Sequence, residues 1–233
     1  MKQYYAIQKA GTAADIYIFG DIVPFEWFEG DVSANSFVKQ IKELDVDVLN
    51  VHIDSYGGAV SEGWGIYNAL REHKAHVNTY GDGFVASAAL FPFLAGDARY
   101  ASTLSAYFLH QVSVGVVGNA TELRSAADEA AMLTDIGISA FTDRTNMDEA
   151  TVKSLMEAET WLTPNQALEY GIATAITADA TPRQMQTIKR DILQNATQRP
   201  PTVSTKGGVT RTAHQQPGST LMQTIAGIFI AQK

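Results

Sequence analysis

The chain has 233 residues, 45% of them hydrophobic, which suits one α/β domain or a domain with an appendage. Its formal net charge of -8 argues against binding a nucleic-acid phosphate backbone. The absence of cysteine excludes disulfides, thiolate metal sites and a cysteine nucleophile.

Residues 1–20 contain no basic stretch followed by an apolar core, and no apolar run reaches the roughly 18 residues of a membrane span. The expectation is a cytoplasmic protein with no membrane partner. Residues 15–20 read as a strand closed by glycine, and 20–24 as a turn. Ser33 precedes an amphipathic helix with Phe37, Val38, Ile41 and Leu44 at helical spacing. Residues 48–54 alternate as a strand with Leu49, Val51 and Ile53 on one face, ending in Ser55-Tyr56-Gly57-Gly58. A second helix follows, with Val60, Trp64, Tyr67 and Leu70 as its predicted buried stripe. Residues 77–80 are the next strand, and Gly81-Asp82-Gly83 reads as a turn opening an apolar helix with Ser87 in its first turn. Residues 99–101 and 106–109 are further short strands. Strands alternating with helices predict a parallel sheet covered by helices.

The longest helical pattern runs over about 118–142, with Leu123, Ala127, Ala130, Leu133 and Ile136 along one face. Shorter helices are predicted over 148–156 and from Thr163-Pro164, with Gly171 past the end of the latter. The composition changes after about Asp179. Residues 181–196 suit one more helix, 197–220 a linker rich in proline and glycine, and 221–229 a short amphipathic end. The predicted division is a domain over 1–180 and an appendage over 181–233.

Gly81 to Ala86 matches the dinucleotide fingerprint Gly-x-Gly-x-x-Gly/Ala. It follows the third strand rather than the first, and no strand ending in Asp or Glu stands at the distance a ribose needs, so no dinucleotide is expected. Ser36-Phe37-Val38-Lys39 matches Ser-x-x-Lys by chance on an amphipathic surface. Of the five histidines, His73 and His76 lie in a polar turn, His214 in the tail and His52 on a strand's polar face. His110 ends an apolar strand, where α/β sheets place their sites; it is either a general base or a satisfied strand-end side chain. Ser87, a lone hydroxyl among Ala, Val, Leu and Phe, is either a core serine or a nucleophile. Gly57-Gly58 is either an ordinary strand-to-helix turn or a source of unobstructed N–H donors for an oxyanion.

The order of parts is specific. Asp54-Ser55-Tyr56-Gly57-Gly58, the serine within Gly81 to Ala89, Phe108-Leu109-His110-Gln111, Thr160-Trp161-Leu162-Thr163 and Ala167-Leu168-Glu169-Tyr170-Gly171 together resemble the ClpP family of serine proteases. The likeness is greatest to the phage and prophage members that act in head maturation, and it covers about residues 15–178. It implies a ClpP/crotonase-like α/β fold in which the long helix from about Asn119 protrudes as a "handle". It also implies Ser87 as nucleophile, His110 as general base, and the backbone N–H groups of Gly58 and Ala88 as oxyanion hole. The acid, two residues before Trp161, is Glu159, with Glu157 its neighbouring alternative. No metal or organic cofactor is implied. The implied partners are a peptide or unfolded protein substrate, further copies in a ring (heptamer or double ring), and an AAA+ ATPase or phage capsid proteins.

Several positions depart from the family pattern. Tyr56 stands for the proline of Ser-Pro-Gly-Gly, Val112 for the proline after His-Gln, and Glu159 for the usual aspartate. Little chain precedes the first predicted strand to serve as an axial segment, which weakens the expectation of an ATPase. Three other readings compete. A signal peptide peptidase of the related Ser-Lys class would need a lysine beside Ser87, yet Lys42 and Lys74, the two between residue 40 and Ser87, read as solvent-facing. A crotonase-type acyl-CoA enzyme and an inactive ClpP-like scaffold are the others.

Overall fold

The computed structural model describes residues 7–26 and 31–177. Strand β1 (Ile7–Ala10) turns back to pair antiparallel with β2 (Ala13–Ile18). Ser33 caps helix α1 (Ala34–Ile41) by accepting the Ser36 N–H. Strand β3 (Val48–Ser55), helix α2 (Val60–Glu72) and strand β4 (His76–Ala86) follow. A single 3-10 turn, Ser87–Ala89, leads from β4 into α3 (Leu90–Leu94). The described chain ends with β5 (Ala98–Ser102), β6 (Ala106–Leu109), α4 (Ala120–Arg144), α5 (Glu149–Glu157), β7 (Thr160–Leu162), α6 (Pro164–Glu169) and β8 (Ala175–Thr177). The segments predicted over 181–233 lie outside the described residues. No helix among those described is long and apolar enough to cross a membrane.

One sheet runs in the order β1-β2-β3-β4-β5-β8, with β6 beside the far half of β4 and β7 beside β6. The alternation read in residues 48–54 is realised: Leu49, Val51 and Ile53 are fully buried, and Asn50, His52 and Asp54 stand on the other face. That second face carries its own order. Tyr17, His52, Tyr80 and Tyr100 are in register across four strands and stack at 4.8, 4.6 and 5.0 Å. His52 Nδ1 also meets the buried Asp82 carboxylate at 2.7 Å, so His52 is a satisfied side chain.

Four expectations change. The sheet is mixed rather than all parallel, since β1 and β7 pair antiparallel with their neighbours; β7 and β8, three residues each, are too short for alternation to betray them. Gly81 and Gly83 do not form a turn but lie inside β4. A Cβ at Gly81 would strike the Tyr107 hydroxyl, and one at Gly83 the Asp54 carboxylate, so close approach within a strand explains both glycines. Helix α2 buries Gly63, Ile66, Ala69 and Leu70, leaving Val60, Trp64 and Tyr67 as half-buried flanks. Helix α4 buries Thr134, Gly137, Ile138 and Phe141 rather than the face of Leu123 and Ile136, because most of its first half stays exposed among the described residues.

Arg99 holds this frame where three helices end. Its guanidinium donates to the carbonyls of Ile172, Gly96, Arg144 and Gly171 at 2.8–3.1 Å. Arg144 adds bonds to Leu94 and Gly96. Burial, and then the Arg144 charge, pull the Arg99 guanidinium down to about 10, so it stays charged at neutral pH. Replacing it strands several carbonyls at once, each worth about 1–3 kcal/mol when left buried and unpaired. Urea unfolding of Arg99→Leu is therefore expected to show a loss of about 3 kcal/mol or more, with Arg99→Lys recovering only part because an ammonium has three donors and no fork.

Candidate active site

A register shift between β3 and β4 builds the site. Ile53 pairs with Gly81, yet Ser55 pairs with Val85, so β4 takes four steps where β3 takes two. The Asp54 carboxylate accepts the Phe84 N–H at 3.0 Å within the shifted segment. Continued two residues beyond β3, the new register sets Gly57 beside Ser87. Contact there is close: a Cβ at Gly57 would stand 2.5 Å from the Ala86 oxygen and 2.7 Å from the Ala88 nitrogen, with φ at +93° besides. Only glycine fits that place.

The neighbouring strand delivers His110. Ala86 pairs with Phe108 in the parallel β4–β6 ladder, so Ser87 leaves β4 level with Leu109 and His110 follows one residue on. Ser87 Oγ lies 2.7 Å from His110 Nε2. With the ring proton on Nδ1, the serine hydroxyl donates to Nε2. Burial holds the His110 imidazole below its ordinary range, and the negative charge of Glu159 partly offsets that.

Glu159 comes from the other direction. Strand β7 runs antiparallel to β6 with Leu109 opposite Thr160, and the next step of that register sets Glu159 opposite His110. Glu159 is exposed and acts on His110 through its charge, with no hydrogen bond between them among the described residues. Glu157 sits in the last turn of α5, lining a different groove with Lys153 and Asp135. Among the described residues, Ser87 (φ 55°) and Glu159 (φ 49°) are the two non-glycine residues with left-handed backbone. Such conformations cost of order 1–3 kcal/mol and concentrate at functional sites.

The remaining predicted positions also converge. Gly58 bridges to Ile22: the Ile22 N–H donates to the Gly57 carbonyl at 2.8 Å, and the Ala59 N–H to the Ile22 carbonyl at 2.7 Å. The Gly58 N–H falls between these two bonds and belongs to neither. Ala88 is second in the 3-10 turn, where an N–H has no partner within the turn. Gly58, Ala88, Ser87 and His110 line one cleft of about 160 Å³, walled by Val60, Leu90, Phe91, Gly137, Phe141 and Met156. No group of three His, Asp or Glu among the described residues is placed to hold a metal ion.

Sequence reasoning missed two features here. One is an aromatic chain: Tyr56 stacks on Phe84, Phe84 meets Trp161 edge-on, Trp161 stacks on Phe108, and Phe108 stacks on the His110 ring. The other is the part of α4 that walls the cleft. No linear pattern joins residues this far apart. The aromatic character of positions 56, 84, 108 and 161 was the one available signal.

A family model described as Clp protease matches residues 29–180. The ATP-dependent Clp protease proteolytic subunit 1 of Prochlorococcus marinus is 30% identical over 146 residues, 60% of this chain and 75% of that protein. Subunit 2 of Treponema denticola is 34% identical over 130 residues, 55% of this chain and 65% of that protein. A solved structure of a ClpP1 mutant from Listeria monocytogenes superposes with a TM-score of 0.62 at 24% identity, covering 71% of this chain and 92% of that one, and so shares its fold.

The electrostatics make a prediction that needs no assay of activity. Followed by NMR, the His110 ring is expected to titrate below the ordinary imidazole range. Glu159→Gln should lower its midpoint further, and Glu157→Gln should leave it unmoved; the reverse pattern would reassign the acid.

Proposed function

Because the chain belongs to the Clp protease family, we propose that it is a serine endopeptidase with Ser87 as nucleophile, His110 as general base and Glu159 as the acid. The observation that carries this reading is the 2.7 Å contact between Ser87 Oγ and His110 Nε2, made at a strained serine against a glycine turn. Ser87 Oγ attacks the peptide carbonyl carbon while His110 Nε2 takes the hydroxyl proton. The carbonyl oxygen becomes an oxyanion held by the N–H groups of Gly58 and Ala88. His110 then returns the proton to the departing amine, leaving an acyl-enzyme on Ser87. A water, deprotonated by His110, hydrolyses the ester. Glu159 favours the transient imidazolium by its charge.

The cleft suggests what is cut. Among the described residues its lining includes no Asp, Glu, Lys or Arg, so an apolar side chain before the scissile bond is desolvated at little cost and a charged one is not. An extended, unfolded chain fits such an opening. The relatives named as ATP-dependent proteolytic subunits make an AAA+ ATPase the partner to test for delivering it. The head-maturation role that the phage resemblance implies makes capsid precursors the substrates to try first. Exposed Val114, Val116, Val117, Leu123, Met132 and Ile136 on and before α4 favour assembly with further copies in a ring.

A fluorophosphonate probe tests the chemistry. Labelling is expected at Ser87, absent in Ser87→Ala and slowed by about 100- to 10,000-fold in His110→Ala. An intact protein that does not label would favour the inactive scaffold. The reaction needs neutral His110, so the rate should stay high to a pH below the ordinary imidazole range before falling. In Glu159→Gln that acid limb should move lower still while the plateau rate drops. Among peptides differing before the scissile bond, those with Leu, Phe or Met should be cut faster than those with Asp or Lys.

A further inference from the structure

Helix α4 has one polar residue on its buried side. Thr134 is 7% exposed among Gly137, Ile138 and Phe141, at a position where threonine is a poorer helix former than leucine or alanine. Its hydroxyl donates to the Ala130 carbonyl one turn back at 2.8 Å and accepts the backbone N–H of Val112 at 3.0 Å. Val112 lies two residues past His110, where β6 has ended and its ladder with β4 gives the backbone no partner. Thr134 lines the same cleft as Ser87 and His110.

We propose that Thr134 is a positioning residue for His110, an inference that rests on the reading of His110 as the general base. The donation to Ala130 fixes the hydroxyl's rotation, which aims a lone pair at the Val112 N–H. That bond fastens the chain just after His110 to α4. On its other side His110 follows Leu109, buried in the β6 ladder, so the imidazole is held from both directions. The position of α4 is thereby passed to the base. Leaving the Val112 N–H unpaired releases one of the two anchors, and a misplacement of about 1 Å at a reacting group can lower the rate roughly 100-fold.

Thr134→Val keeps the side chain's shape and removes the acceptor; Thr134→Ser keeps the acceptor. In the full chain, Thr134→Val is expected to slow fluorophosphonate labelling of Ser87 and kcat by about 10- to 100-fold with KM little changed. Exchange of the Val112 amide should accelerate and the His110 titration midpoint should move. Thr134→Ser should restore all of these. Wild-type labelling rates in Thr134→Val, or a Thr134→Ser no better than Thr134→Val, would overturn the proposal. If the wild-type chain itself does not label, the protease reading fails. The exchange and titration readouts still decide the positioning role: an unmoved His110 midpoint in Thr134→Val refutes it, and a shift reversed by Thr134→Ser upholds it.

Discussion

Everything at the site hangs on the shifted register between β3 and β4, where four steps of one strand run beside two of the other. The extra length brings Ser87, rather than Val85, level with the glycine turn after β3. The Asp54 carboxylate accepts the Phe84 N–H inside that segment, and glycine at position 83 leaves room for the carboxylate. An aspartate and two glycines that look like loop residues are therefore the means by which a parallel ladder delivers its end to the right place. The same ladder, continued into β6 and then antiparallel into β7, sets His110 beside Ser87 and Glu159 across from His110.

Strain and desolvation are concentrated where chemistry is proposed. Ser87 and Glu159 hold left-handed backbones, a cost that surrounding close packing must enforce. The contact of Gly57 with the backbone on both sides of Ser87 is one such enforcement. Burial keeps His110 neutral further into the acid range, as a base needs, while the exposed Glu159 offsets part of that. Helix α3 has only five residues, so stabilisation of a developing negative charge would come from individual N–H groups more than from a helix dipole.

Two departures from the family pattern have local replacements. Tyr56, in place of proline, stacks on Phe84 at 4.9 Å and so ties the glycine turn to the aromatic chain that ends on His110. Val112, in place of proline, presents an N–H that proline lacks, and Thr134 accepts it. In both places a constraint from covalent geometry gives way to one from packing or hydrogen bonding. The second of these ties the site to α4, whose outer half is largely exposed among the described residues.

Much was legible along the chain. The strand of residues 48–55 showed its buried face because alternation is local, and α1, α5 and α6 showed their starts because Ser33, Asp148 and Thr163 are capping residues at the right spacing. Ser87, His110, Glu159, Gly58 and Ala88 could be named because short motifs keep their order. What the linear pattern could not decide were relations between distant segments. Gly81 and Gly83 read as a turn because glycine breaks local patterns, whereas their reason is a tyrosine and an aspartate on other strands. Leu123 and Ile136 read as a buried stripe because helical spacing records amphipathicity without saying what covers it. The sequence by itself determined which chemical groups are present and on which elements they ride. Tertiary structure alone decided that Ser87 meets His110 and that Glu159 stands across from that histidine, because ladder register is a non-local quantity that no single segment carries.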